Sequence, residues 1–139
     1  MKTIITILII LFPTFAFAES SLNYYEKLSY AKGYDIGQSA KKMVPEMKLK
    51  NLLQGLEAII TGTPVTMPPQ EERTLKISFA NQGTASIKSP KQKIDMEKLS
   101  YAFGLDIGRN TKKTLPVIDY NILKDGVTDG FQNIPSILS

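Results

Sequence analysis

The sequence predicts an all-α protein made of two tandem helical-hairpin units packed as a small helical bundle. Three observations carry that prediction. Residues 26–45, EKLSYAKGYDIGQSAKKMVP, return at 97–116 as EKLSYAFGLDIGRNTKKTLP, and at this offset of 71 residues 13 of 20 positions agree, where unrelated sequences would share roughly one. Apolar residues elsewhere recur three and four apart, the period of a helix with one buried face. Pro45 and Pro116 close the repeated stretches rather than interrupting them, as helix-stopping residues should.

The first element is an export signal. Lys2, the apolar run Ile4–Phe12, Pro13 and the small-residue pattern Ala16-Phe17-Ala18 before Glu19 read as a secretory signal peptide over residues 1–18, cut between Ala18 and Glu19. An uncleaved anchor is the alternative, but the apolar stretch is shorter than the roughly 20 residues that cross a bilayer. The expectation is a periplasmic or secreted protein with no membrane attachment after cleavage.

The first unit is expected over residues 19–81. A helix from about Asn23 to Met43 fits the recurrence of Leu28, Ala31 and Tyr34 beside a stripe of Gly33, Ile36, Gly37, Ala40 and Met43, leaving Asp35, Ser39 and Lys42 to water. The residue before a proline is pushed out of helical geometry, so the break falls near Val44. A second helix spans Lys48 to Thr61 with a wide apolar face and Gly62 as its left-handed cap. After the stiff turn TPVTMPP, Glu71, Glu72, Leu75 and Phe79 suggest a third helix ending by Asn81, with its acids at the positive end of the helix dipole; Ile77-Ser78-Phe79 would also suit a strand.

Residues 82–95 are polar and rich in Gly, Ser, Lys and Gln, and read as a linker. The second unit, residues 96–139, repeats the plan with a helix from about Met96 to Thr114 and another from Asp119 or Tyr120 to Gln132, Asp119 serving as N-cap. It carries no counterpart of the third helix, and an open binding face is expected on this second unit.

Composition narrows the function. The chain has no cysteine and no histidine, which removes disulfides, common zinc sites and histidine-based hydrolytic machinery. Lys and Arg number 17 against 13 Asp and Glu, a mild excess. Lys88, Lys91, Lys93 and Lys98 lack an aromatic platform and read as solvated linker, so no nucleic-acid partner is expected. No cofactor or metal site is expected either.

The repeated residues are small, aromatic or basic. Ser29, Gly33 and Gly37, and likewise Ser100, Gly104 and Gly108, stand four apart on one helix side. Glycine inside a helix costs about 1 kcal/mol relative to alanine, so close approach of another helix must offset it. Ser29, Tyr30, Gly33, Ile36 and Gly37, with Ser100, Tyr101, Gly104, Ile107 and Gly108, are therefore the candidate helix-pairing interface. The partner is either the second helix of the same unit or a helix from elsewhere. Lys41-Lys42 and Lys112-Lys113 favour the negative helix ends. Ser29-x-x-Lys32 imitates a penicillin-recognising motif, but Phe103 replaces the lysine in the second copy; Asp125 and Asp129 read as solvated surface.

The string Ser-Tyr-Ala-x-Gly-x-Asp-Ile-Gly, followed by lysines and by Leu52-x-x-Gly55, resembles the N-terminal domain of FKBP-type peptidyl-prolyl isomerases of the macrophage infectivity potentiator kind. The resemblance covers Glu26 to about Gln82 and again Glu97 to about Asn133. It implies an exported, all-helical domain that joins subunits and precedes an isomerase domain of roughly a hundred residues, for which these 139 residues hold no matching segment. No catalytic residue is carried over. The expectation is a non-catalytic association module acting in protein folding, paired with itself, as an intrachain pseudo-dimer or a homodimer, or with a full-length FKBP-type isomerase. The alternatives are a truncated or remnant isomerase family member and a weak holdase.

Overall fold

A computed structural model describes residues 22–84 and 93–138. The segment read as an export signal, with its expected Ala18–Glu19 cleavage point, and residues 85–92 of the expected linker, with Lys88 and Lys91, lie outside the described residues. Five helices follow in order: α1 (Tyr24–Met43), α2 (Leu49–Thr61), α3 (Pro69–Thr84), α4 (Met96–Thr114) and α5 (Tyr120–Phe131). No strand occurs among the described residues.

Local chemistry sets most of the boundaries. The Asn23 side chain accepts from the Glu26 amide at 2.9 Å, and Asp95 and Asp119 cap α4 and α5 in the same way, each satisfying a donor that the first helical turn leaves open. α1 and α4 end at Val44 and Leu115, both extended ahead of a proline. α2 ends at Gly62, whose φ of 79° is the left-handed conformation that only glycine adopts without strain. α3 is helical throughout and continues to Thr84, three residues past the expected end, into the polar stretch read as linker.

The helices pair across the two halves. α1 packs on α5 and α2 on α4, and these are the dominant contacts of the fold; neither first helix takes its main packing from its own second helix. Of the two partners the sequence left open for the glycine faces, the structure thus selects the helix from the other half. The main core is accordingly shared, with Ile36, Ala40, Val44, Leu52 and Leu56 of the first half meeting Leu123 and Val127 of the second. Leu52, Leu99, Leu105, Leu123 and Val127 are wholly buried, each contributing about 1.5–3 kcal/mol of apolar burial.

α3 lies on α4. Leu75 packs into a smaller cluster of Ala58, Met67, Ala102 and Leu105, and Phe79 meets Phe103 edge-on at 5.5 Å. Three ion pairs tie the two helices: Lys98–Glu71 at 2.7 Å, Arg109–Glu72 at 2.6 Å and Lys76–Asp106 at 3.3 Å. The third helix of the first half therefore covers the second half, and the face left uncovered at the matching position belongs to α1. This reverses the expected side for an open face. Ala31, expected among the stripe residues of α1, is exposed there.

Candidate functional site: two glycine seams and their clefts

Each cross-half pair is built around glycines that bring backbone against backbone. A Cβ added to Gly33 would stand 2.1 Å from the Leu123 carbonyl oxygen, and one on Gly37 would stand 2.2 Å from that of Val127. From the other side, Cβ atoms added to Gly126 and Gly130 would stand 2.3 and 2.1 Å from the carbonyl oxygens of Tyr30 and Tyr34. These contacts advance together along α1 and α5, so the helices run parallel. In the second pair Gly55 and Gly104 face one another, and a Cβ added to Gly108 would stand 2.8 Å from the Ile59 side chain. Ile59 stands where Gly130 stands in the first pair, so the seams differ by one side chain. Sequence reading named the glycines of the first helices but not Gly126 and Gly130; the signal was their spacing of four on α5.

Two serines fasten the seams. The Ser29 hydroxyl oxygen accepts the Asp119 amide at 3.1 Å, and the Ser100 oxygen accepts the Lys48 amide at 2.8 Å. Lys48 and Asp119 occupy equivalent positions, each the residue before a second helix. Both serines are fully buried, and Ser100 also donates to the Met96 carbonyl at 2.6 Å. Each thus satisfies an amide of the opposite half. Ser29 is engaged in this way and is no nucleophile poised by Lys32.

The tyrosines repeat the exchange. The Tyr101 hydroxyl accepts the Thr66 amide at 3.1 Å and the Tyr30 hydroxyl accepts the Ile137 amide at 3.3 Å, again at matched positions. Tyr30 is buried and Tyr101 half-buried. Tyr30 also donates to Asp129 at 2.6 Å, so Asp129 is a half-buried hydrogen-bond acceptor rather than a solvated surface residue. Desolvation, with the Asp129 carboxylate second, pushes the Tyr30 phenol up to about 12. Asp125, one turn away, is raised by desolvation and then by Asp129. Ile36 and Ile107 face the core, buried and half-buried.

Beside each tyrosine lies a cleft. One of about 630 Å³ is lined by Asn51, Gln54, Ala58, Thr66, Met67 and Tyr101. The other, of about 330 Å³, is lined by Ile122, Asp125, Thr128, Asp129, Tyr30 and Ile137, with residues at the matched positions along α5. Tyr30, with its pKa raised, stays protonated near neutral pH, and its hydroxyl is already both donor to Asp129 and acceptor from Ile137. Among the described residues no buried side-chain polar atom lacks a partner, and no group of three acidic residues is placed to hold a metal. The polar groups of the clefts hold the fold together.

Two parallel helix pairs, sealed by glycine and latched by serine and tyrosine across the halves, define a helical pairing fold. The chain belongs to the family described as the domain amino-terminal to FKBP-type peptidyl-prolyl isomerase, which matches it over residues 25–95 and again over 96–139. No curated protein and no solved structure matched it.

Proposed function

We propose that this chain is an exported, non-catalytic association module that acts in protein folding, in which two copies of the family's N-terminal unit pair with each other inside one polypeptide. The observation that carries the reading is the exchange of equivalent hydrogen bonds across the halves, Ser29 with Asp119 and Ser100 with Lys48. An interface of this kind between two chains would make a dimer; placed in tandem, it closes within one. The apolar faces of α1, α2, α4 and α5 are spent on this pairing, which favours a self-contained module over a homodimer.

Light scattering of residues 19–139 across the micromolar range tests it. A constant monomer mass is expected, whereas a stable dimer would overturn the closed form. A proline-peptide isomerisation assay separates the enzymatic alternative: no acceleration over the uncatalysed relaxation of tens of seconds is expected. Export is tested by fractionation of cells expressing the full chain, with a shortened product expected in the envelope fraction.

A further inference from the structure

α1 carries on its outer face three of the residues with which α4 holds α3, and differs at two others. Lys98, Ala102 and Asp106 form a stripe in which Lys98 pairs with Glu71, Asp106 with Lys76, and Ala102 lies wholly buried beneath the helix. The matched residues on α1 are Lys27, Ala31 and Asp35, and all three are exposed. Among the described residues neither Lys27 nor Asp35 has an ion-pair partner. Beside Asp35 alone of the three, a groove of about 590 Å³ opens toward the end of α5, lined by Asp35, Gln38, Ser39, Lys42, Phe131 and Asn133. Asp106 and Arg109, the counterparts of Asp35 and Gln38, are the residues that receive Lys76 and Glu72.

We infer that this face of α1 binds an amphipathic helix from a partner protein in the register of α3, with a charge pattern set by two substitutions. Lys32 replaces Phe103, the residue that Phe79 meets, so the partner residue in the position of Phe79 must carry a carboxylate. Gln38 replaces Arg109, so the position of the buried Glu72 must be a neutral hydrogen-bonding residue. A lysine where α3 has Lys76 serves Asp35, and an acid where it has Glu71 serves Lys27. The small Ala31 lets the incoming helix lie close, as Ala102 does for α3. This goes beyond intrachain pairing, because the face lies outside both seams.

The test uses the isotopically labelled full chain and a helix-stabilised synthetic peptide of residues 68–84 carrying Glu72→Gln and Phe79→Glu, followed by NMR. Saturable shifts at Lys27, Ala31, Lys32 and Asp35 are expected, with binding about two- to five-fold tighter than that of the unaltered 68–84 peptide, the gain an exposed ion pair confers, and weakening with added salt. Lys32→Glu in the chain, a surface change that spares the fold, should reverse the order of the two peptides. Shifts confined to α4, equal binding of both peptides, or no saturation would overturn the inference. Light scattering on the same samples reports the closed monomer independently, so failure of either reading is seen apart from the other.

Discussion

At the scale of single residues, the seams are governed by one missing methyl group. Alanine in place of Gly33 would recover about 1 kcal/mol of helix propensity, yet its Cβ would meet the Leu123 carbonyl oxygen at 2.1 Å. Backbone cannot rotate away as a side chain can, so α1 and α5 must part, and overpacking of this kind costs about 1–3 kcal/mol or more. Gly33→Ala is therefore expected to lower the urea midpoint clearly. Gly108→Ala should do less, since the obstacle is the Ile59 side chain. Equal effects would show that the backbone contact is not what matters. The Tyr30 hydroxyl is a second probe. Its folded pKa of about 12 lies above the unfolded value of about 10, so the folded state holds the proton more tightly. That contribution is complete below pH ~10 and fades as the pH rises toward 12. Tyr120 is also raised to about 12, by desolvation and then by Glu57. Tyr30→Phe should remove one of these two late steps from the tyrosinate absorbance titration and flatten the alkaline decline of stability.

At the scale of elements, α3 stands apart from the other four helices. Its attachment rests on ion pairs and a few apolar contacts rather than on a glycine seam. Exposed pairs such as Lys98–Glu71 contribute little and are screened by salt. Glu72 differs, because its side chain is 6% exposed and takes both guanidinium nitrogens of Arg109, at 2.6 and 3.2 Å. Its charge-assisted hydrogen bonds to the guanidinium are the main reason the Arg109 pKa is raised. Arg109→Ala strands most of a buried carboxylate, a loss of about 1–3 kcal/mol, with Lys76 at 3.5 Å the remaining partner. Hydrogen exchange should then quicken through α3 while α1 and α5 stay protected; uniform quickening would mean that α3 is integral to the core. The polar end of α3, Asn81-Gln82-Gly83-Thr84, is why composition alone put its end too early. Capping residues, prolines and the Gly62 turn were legible because they act locally. Which helix fills a glycine face was not, since periodicity marks a buried side without naming what buries it.

At the scale of the molecule, every strong contact of α1 and α2 is made with the second half. A protease site placed within residues 85–92 and cut in the folded protein should leave the two fragments co-eluting on a sizing column at micromolar concentration. Fragments that separate at once would show that the halves are held mainly by their tether. The 13-of-20 match made the two units visible, and the serine and tyrosine positions were identified without their bonds. Those bonds reach residues 35 to 107 positions away, a distance no local pattern encodes.

The Tyr30–Asp129 bond sets a timetable for synthesis. Its two ends are separated by 99 residues, which a ribosome takes roughly 5–20 s to add. For most of that interval α1 has been made while its partner α5 (Tyr120–Phe131) has not, and the glycine face of α1 is bare. The α1–α5 seam must wait for the last helix, whereas the α2–α4 seam needs only residues up to Thr114, and long-range closure of this kind is slow relative to local helix formation. Its riskiest moment is therefore the time before α5 exists, when the glycine face of α1 has no partner of its own chain to meet.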